Sequence, residues 1–366
     1  MKGLYVHIPF CKQKCLYCDF VSFAGKETLT DQYLDAMERE MTIYKGEKID
    51  TVFIGGGTPS VLSPEAITRL TDAIKKTFII APGAEYTMEI NPGTVNKEKI
   101  DAIYRGGINR VSVGIQSFND EELRAIGRIH DFRTAINTVK ELHEAGFGNI
   151  SVDLMMSLPY QTEESFKENL RVATTLPINH ISVYSLIIEG NTPIYNKYKS
   201  GEYNEPDEDA DRRLYKHTKE YLAEMGFSRY EISNYARVGY ESKHNLKYWD
   251  CDEYIGVGLN AHSYIDNVRY YNTDDFEKYL SGDFCAGREI LTKADQMGEF
   301  MILGLRKCRG VNDSEFKKRF EKSLFCVYSD IIDKFIKAGA MKRLDDYCCL
   351  TDYGMDISNT VMCEFL

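Results

Sequence analysis

Cys11, Cys15 and Cys18 stand in the run Tyr5-Val-His-Ile-Pro-Phe-Cys-Lys-Gln-Lys-Cys-Leu-Tyr-Cys18. Thiolates are the usual ligands of iron–sulfur clusters, and three at Cys-x3-Cys-x2-Cys spacing can wrap one soft metal centre. A [4Fe–4S] cube has four irons, so three cysteines leave one iron open. An open position on a metal goes with chemistry more often than with structure. Two other readings compete. A zinc site wants a fourth ligand at a companion spacing, which Cys348-Cys349 does not offer. A redox Cys-x2-Cys pair would use Cys15 and Cys18 and leave Cys11 idle. The cluster with one open iron is the favoured reading because it uses all three.

An open iron needs a partner. S-adenosylmethionine can chelate it through its amino and carboxylate groups, and residues elsewhere in the chain suit that ligand. Gly55-Gly56-Gly57 lets backbone approach closely and present N–H and C=O groups to a carboxylate or an ammonium. Glu89 and Asp153 can accept from ribose hydroxyls or an ammonium, and Arg128 can fork onto a carboxylate. Taken singly, the glycines read as a plain turn and the charged residues as surface ion pairs. The cysteine run gives them weight together.

These residues need a scaffold that brings them to one place. Short apolar runs end at turn residues, each followed by a helix-like stretch: Leu4–Ile8, Thr51–Ile54, Tyr86–Ile90, Arg110–Ile115, Ile150–Met156 and His180–Ile187. Such runs read as buried parallel strands. Phe132, Ile136, Val139 and Leu142 recur at helical spacing, and Thr162 followed by Glu163 and Glu164 reads as a helix start. Six β-then-α units in series predict an α/β fold whose parallel sheet curves like a barrel, with working residues at the C-terminal ends of the strands. The cysteine loop, Gly55–Pro59, Glu89, Gln116 and Asp153 all fall at or beside such ends.

The repetition stops near Gly226. Tyr230–Ala236 and His244–Tyr271 are rich in aromatics, Asn and Gly and read as strands and loops, within an aromatic-rich extension over 227–291. Residues 292–366 read as helices and then a hairpin around Lys342–Thr351, a small winged-helix-like C-terminal unit. The expected division is therefore 1–226, 227–291 and 292–366.

Bulk properties set limits. The 366 residues suffice for a large α/β domain with an appendage. A net charge of −11 argues against broad nucleic-acid binding. No apolar run predicts a membrane span, and no cleavable signal is expected. Ten cysteines that must supply free thiolates fit a reducing cytoplasm.

The cysteine run with Gly55-Gly-Gly-Thr-Pro59 resembles the radical S-adenosylmethionine (radical SAM) superfamily, and more narrowly the oxygen-independent coproporphyrinogen III oxidase-like family. Glu89-Ile-Asn-Pro-Gly-Thr94, Ser112-Val-Gly-Ile-Gln-Ser-Phe118, Gly127-Arg-Ile-His130 and Asp153-Leu-Met-Met-Ser-Leu-Pro159 follow in the family's order. The resemblance implies a partial (β/α)6 radical SAM barrel with a C-terminal α+β domain. It implies a [4Fe–4S] cluster on Cys11, Cys15 and Cys18. It also implies S-adenosylmethionine contacts from Tyr5, Tyr17, Gly56, Gly57, Thr58, Glu89, Gln116, Arg128 and Asp153.

One position divides the family. The oxidase carries a further cysteine two residues after the third, where this chain has Phe20. The heme chaperone (HemW-type) subgroup has an aromatic there and a His-Asn-x-x-Tyr-Trp segment, which resembles His244-Asn-Leu-Lys-Tyr-Trp249 here. Ser157 and Asn260 depart from that pattern by standing where the family has Gly. The resemblance implies a protein that binds heme and passes it to an acceptor protein, with no assigned catalytic residue. It also allows a transient membrane contact and a homodimer. A planar macrocycle wants aromatic walls and an axial ligand. His244, Tyr248, Trp249, Cys251 and His262 lie in one aromatic stretch, and His244 is the expected heme residue. The alternative is radical decarboxylation of coproporphyrinogen III. Gly256-Val-Gly258-Leu-Asn-Ala261 mimics a dinucleotide fingerprint, but Tyr264–Tyr271 after it reads as strand, so no helix N-terminus is expected for a pyrophosphate.

Overall fold

The computed structural model describes residues 1–204 and 207–366. Six strands run parallel and pair in chain order: β1 (Lys2–Ile8), β2 (Lys48–Gly56), β3 (Ile79–Ile90), β4 (Arg110–Gln116), β5 (Ile150–Met156) and β6 (His180–Ser185). Between them lie α1 (Thr30–Met41), α2 (Pro64–Thr77), α3 (Lys97–Arg105), α4 (Asp120–Ala125), α5 (Phe132–Glu144) and α6 (Glu163–Thr175). This is the expected partial barrel. β3 begins at Ile79, earlier than the Tyr86 expected, because a register slip opposite Ile49–Thr51 takes up the Pro82-Gly83 kink.

Side chains alternate across each strand. One row, with Val6, Ile54, Met88, Val113 and Val152, is fully buried in the main core. Each such aliphatic contributes about 1.5–3 kcal/mol by leaving water. The other row faces the lumen and is polar: Thr87 and Glu89 on β3, Arg110 and Ser112 on β4, Ser151 and Asp153 on β5, His180 and Ser182 on β6. Helix caps are local. On α6, Thr162 Oγ1 accepts from Ser165 N (3.0 Å) while Ser165 Oγ accepts from Thr162 N (2.9 Å). Asp131 caps α5, which buries Ala135, Val139 and Leu142, while Phe132 is 37% exposed.

After β6 come α7 (Pro193–Lys199) and α8 (Glu208–Glu224). β7 (Ser228–Arg229) and β8 (Asn234–Ala236) then join the β6 edge. The chain crosses to the other edge through α9 (Lys243–Trp249). There β9 (Tyr254–Val257) lies parallel to β1, and β10 (His262–Ile265), β11 (Val268–Asn272) and β12 (Cys285–Ile290) continue antiparallel. The result is one twelve-stranded sheet, ordered β12-β11-β10-β9-β1-β2-β3-β4-β5-β6-β8-β7. Residues 227–291 therefore extend the barrel sheet at both edges. Tyr235, Ile255 and Val257 belong to its core, so this stretch does not stand as a separate body. The strand-and-loop expectation for 244–249 is also corrected. Ser242 Oγ accepts from Asn245 N (3.4 Å) and starts a helix.

α10 (Phe276–Ser281) packs on the main core through Phe276 and Tyr279. The C-terminal region has its own core, including Met301, Leu305, Phe316, Leu324 and Val361. It comprises α11 (Lys293–Leu305), α12 (Asp313–Phe320), α13 (Leu324–Val327) and α14 (Ser329–Lys337) with a sheet ordered β13-β15-β14. These strands are β13 (Val311–Asn312), β14 (Met341–Leu344) and β15 (Tyr347–Leu350). The β14–β15 hairpin is the one expected from sequence. No helix among the described residues is long and apolar enough to cross a membrane.

Candidate functional site

The cysteine loop leaves the C-terminal end of β1 and is clamped at its base. Phe10 and Cys11 pair with Phe23 and Ala24, and Phe23 N donates to Pro9 O (2.7 Å). Its tip is tied to the barrel rim by Leu16 N to Ile126 O (3.0 Å) and Gln13 Nε2 to Gly127 O (3.0 Å). Cys11 is buried, Cys15 and Cys18 are half-buried, and all three line one cavity of about 370 Å³. Burial pushes the Cys11 and Cys18 thiols up, with other cysteines adding. Metal loading would therefore release protons.

Among the described residues no three His, Cys, Asp or Glu side chains converge as ligands of a single ion. A four-iron cube takes each thiolate on a different iron, so its ligands need not converge.

The cavity brings together Tyr17, Gly56, Gly57, Thr58, Glu89, Gln116, Arg128 and Asp153 with the three cysteines. Tyr5 lies outside its lining. The Tyr5 hydroxyl is 3.0 Å from His7 Nδ1, and its ring stacks on Phe53. Arg128 Nη1 donates to Cys15 Sγ (3.3 Å), and Nη2 donates to Asn91 Oδ1 (2.7 Å) and to Gly114 O. Its Nε is buried without a partner. Asn91 also donates to Thr58 Oγ1 (2.7 Å), which donates to Cys11 Sγ (3.5 Å). Asn91 thus braces both sides of the cysteine loop. Sequence reading assigned it no role, although it stands two residues after Glu89.

The glycine turn differs from expectation in one respect. Gly56 N donates to Glu89 Oε2 (3.2 Å), Gly57 N to Ile8 O (2.8 Å) and Thr58 N to Phe10 O (2.8 Å). These N–H groups are engaged within the chain, so any backbone group the turn offers a ligand is a carbonyl, which suits an ammonium. A Cβ on Gly57 would come within 2.8 Å of Phe10 O and 2.9 Å of Ile8 O.

Gln116 ends β4 at φ 69°, beside a register slip between Gly114 and Gln116. A left-handed non-glycine residue at a cavity edge is stored strain, and here it accompanies a side chain lining the cavity. Ser157 (φ 60°) and Asn260 (φ 54°) are also left-handed, which accounts for the glycines expected there. Ser157 Oγ donates to Asp211 Oδ1 (2.5 Å).

Electrostatically the cavity is an acid pair. Burial pushes the Glu89 carboxyl up to about 8, and the Asp153 charge adds to this. Burial raises Asp153 as well, against hydrogen bonding by Ser182 and Ser112 and the charge of Arg110. Ser112 Oγ lies 3.3 and 3.4 Å from the Asp153 oxygens. Arg110 lies deeper in the lumen, 2% exposed, with its Nε unpartnered. Two desolvated acids beside three thiols would be relieved by a cationic ligand. Sulfonium, ammonium and iron fit this donor set.

His244 lies elsewhere, 1% exposed. Its Nδ1 is 2.9 Å from Thr51 Oγ1 and its Nε2 is 2.9 Å from the Tyr248 hydroxyl. Burial pushes it down to about 3, with Lys247 and Arg110 adding. Both ring nitrogens are engaged, so it has none to offer a heme iron. Trp249 lies under Arg306, 4.2 Å away. Strands β10 and β11 follow Gly256–Ala261, so no helix is present to receive a pyrophosphate.

A model of the radical SAM superfamily matches residues 5–173, and one of the HemN C-terminal domain matches residues 291–357. A protein named heme chaperone HemW from Lactococcus lactis subsp. lactis (strain IL1403) is 37% identical over 99% of this chain and 96% of its own length. Its namesake from Bacillus subtilis (strain 168) is 36% identical over 100% and 99%, and that from Escherichia coli (strain K12) 34% over 100% and 98%. The solved coproporphyrinogen III oxidase (HemN) from Escherichia coli superposes with a TM-score of 0.88 at 24% identity, covering 99% of this chain and 89% of that one. At that identity the superposition speaks for the fold alone.

Proposed function

The chain belongs to the radical SAM superfamily, in the branch of the proteins named heme chaperone HemW, and on that premise we propose that it binds heme and hands it to an acceptor protein. In this proposal Cys11, Cys15 and Cys18 hold a [4Fe–4S] cluster. Glu89 and Asp153 face the cationic part of S-adenosylmethionine, the backbone of the glycine turn accepts from its ammonium, and the free Nε of Arg128 is left for its carboxylate. Tyr5 supports this site from below the cavity lining. When bound, the reduced cluster supplies one electron for homolytic cleavage of the sulfonium C–S bond. The protein's part is to position the ligand and exclude water.

The observation that carries the reading is Phe20. It is 67% exposed and lines the cavity beside the cysteines, at the position where the oxidase family carries a further thiol. Full-length likeness to the named chaperones supports it. The oxidase alternative is supported by fold only. Ten free thiols fit a reducing compartment, so the cytoplasm is the proposed location. Anoxic incubation of the reconstituted protein with coproporphyrinogen III, S-adenosylmethionine and a reductant tests the proposal. It predicts no protoporphyrinogen; sustained turnover would replace the carrier reading with the oxidase one.

A further inference from the structure

We propose that heme docks on the lumen-side face of the sheet where the barrel opens, with the His262 imidazole as its iron ligand and Tyr271 beside it. The inference rests on the heme-carrier reading above and names its site. Strand register carries the placement. Tyr5 faces the lumen and pairs with Gly256; two residues earlier Gly3 pairs with Tyr254. Tyr254 pairs with Tyr264, His262 with Tyr271, and Tyr271 with Gly287. Because faces alternate by residue, His262, Tyr264 and Tyr271 project from the side of the sheet that Tyr5 occupies. The lumen-facing row of the barrel sheet thus continues outward into this patch.

The patch suits a flat, partly apolar ligand. His262 is exposed and Tyr271 is 39% exposed, with ring centroids 5.9 Å apart and planes 30° from parallel. A Cβ on Gly287 would fall 2.2 Å from the Tyr271 hydroxyl oxygen, so glycine is what lets that ring lie across β12. Arg269 stands on the same face, opposite Tyr264. It pairs with Glu289 (3.3 Å) and Glu299 (2.8 Å), partners that a heme propionate can exchange with. Partial burial, with Arg269 adding, lowers the His262 pKa and favours the neutral imidazole that binds iron.

The other histidines are less suited. His7, His130, His180 and His244 are buried and hydrogen-bonded. His143 and His217 sit on the outer helices α5 and α8. His244 has a supporting part instead. Ring centroids run Tyr5–Phe53 (6.3 Å), Phe53–His244 (5.3 Å), His244–Tyr248 (5.0 Å) and Tyr248–Tyr254 (4.6 Å). Tyr254 then pairs with Tyr264. This packed column fixes the patch relative to the cofactor cavity.

The experiment is a hemin titration of the full-length, cluster-reconstituted protein, read by its optical spectrum. His262→Ala is expected to remove the imidazole-ligand signature and weaken binding about tenfold or more. Added imidazole should restore the signature, which a merely structural loss would not allow. His244→Ala should retain it. An unchanged spectrum in His262→Ala would overturn this site while leaving the carrier reading standing. Wild-type protein that takes up no hemin would overturn both.

Discussion

Glu89 shows how the cavity sets chemistry at the scale of one residue. Its folded pKa of about 8 lies above the ordinary carboxylate value of 4.5. A raised acid binds more protons in the folded than in the unfolded chain between those values. Its contribution to stability therefore falls as pH rises from about 4.5 to about 8. A cationic ligand prefers the ionised form, so S-adenosylmethionine should bind with proton release and gain affinity as pH rises through 7 to about 8. Glu89→Gln should make the apoprotein more stable at pH 8, by about 1–3 kcal/mol, and make S-adenosylmethionine binding weaker and nearly independent of pH. Thermal melts and calorimetric titrations at several pH values read both effects. A variant that lost stability and kept the wild-type pH profile would refute the assignment. The acidic pair was readable in the sequence because each acid interrupts an apolar run. Its electrostatics were not, because they depend on burial and on Arg110, whose place in the lumen only the strand pairing reveals.

At the scale of elements, the glycine turn and the cysteine loop form one unit. Gly57 and Thr58 N–H groups hold the carbonyls of Ile8 and Phe10, and Asn91 links Thr58 to Arg128. Gly57→Ala puts a methyl against two backbone oxygens that cannot rotate away. It should cost about 1–3 kcal/mol and lower the iron bound per chain after anaerobic reconstitution. Full cluster content in that variant would show the close approach to be dispensable. The parallel strands were legible because outward rows such as Val111, Val113 and Ile115 are unbroken aliphatics. The role of the Gly57 and Thr58 N–H groups was not, since their acceptors lie about fifty residues earlier in the chain. The α9 helix was missed because His, Asn, Tyr and Trp give no apolar period. Ser242, its cap, was the available signal.

Over the whole molecule, one twelve-stranded sheet carries the cofactor cavity and the proposed heme patch, and the C-terminal core is joined to it through ion pairs. Lys307, nearly buried, pairs with Asp250 at the end of α9, and Arg319 reaches Asp252 (3.1 Å) and the carbonyl of Cys251 (2.9 Å). Asp250→Ala would leave the Lys307 ammonium desolvated and alone. It should cost about 2 kcal/mol or more in urea unfolding, less than a fully enclosed pair because Asp250 is partly exposed. An unchanged midpoint would show that water reaches the lysine freely. The proposed function requires that this scaffold carry heme. Its most direct test is to load the anaerobically reconstituted protein with hemin and mix it with a heme-free acceptor protein, following both absorption spectra. Saturation at about one heme per chain and transfer to the acceptor faster than loss of heme to buffer are expected. Failure to saturate, or heme that reaches the acceptor no faster than it dissociates into buffer, would contradict it.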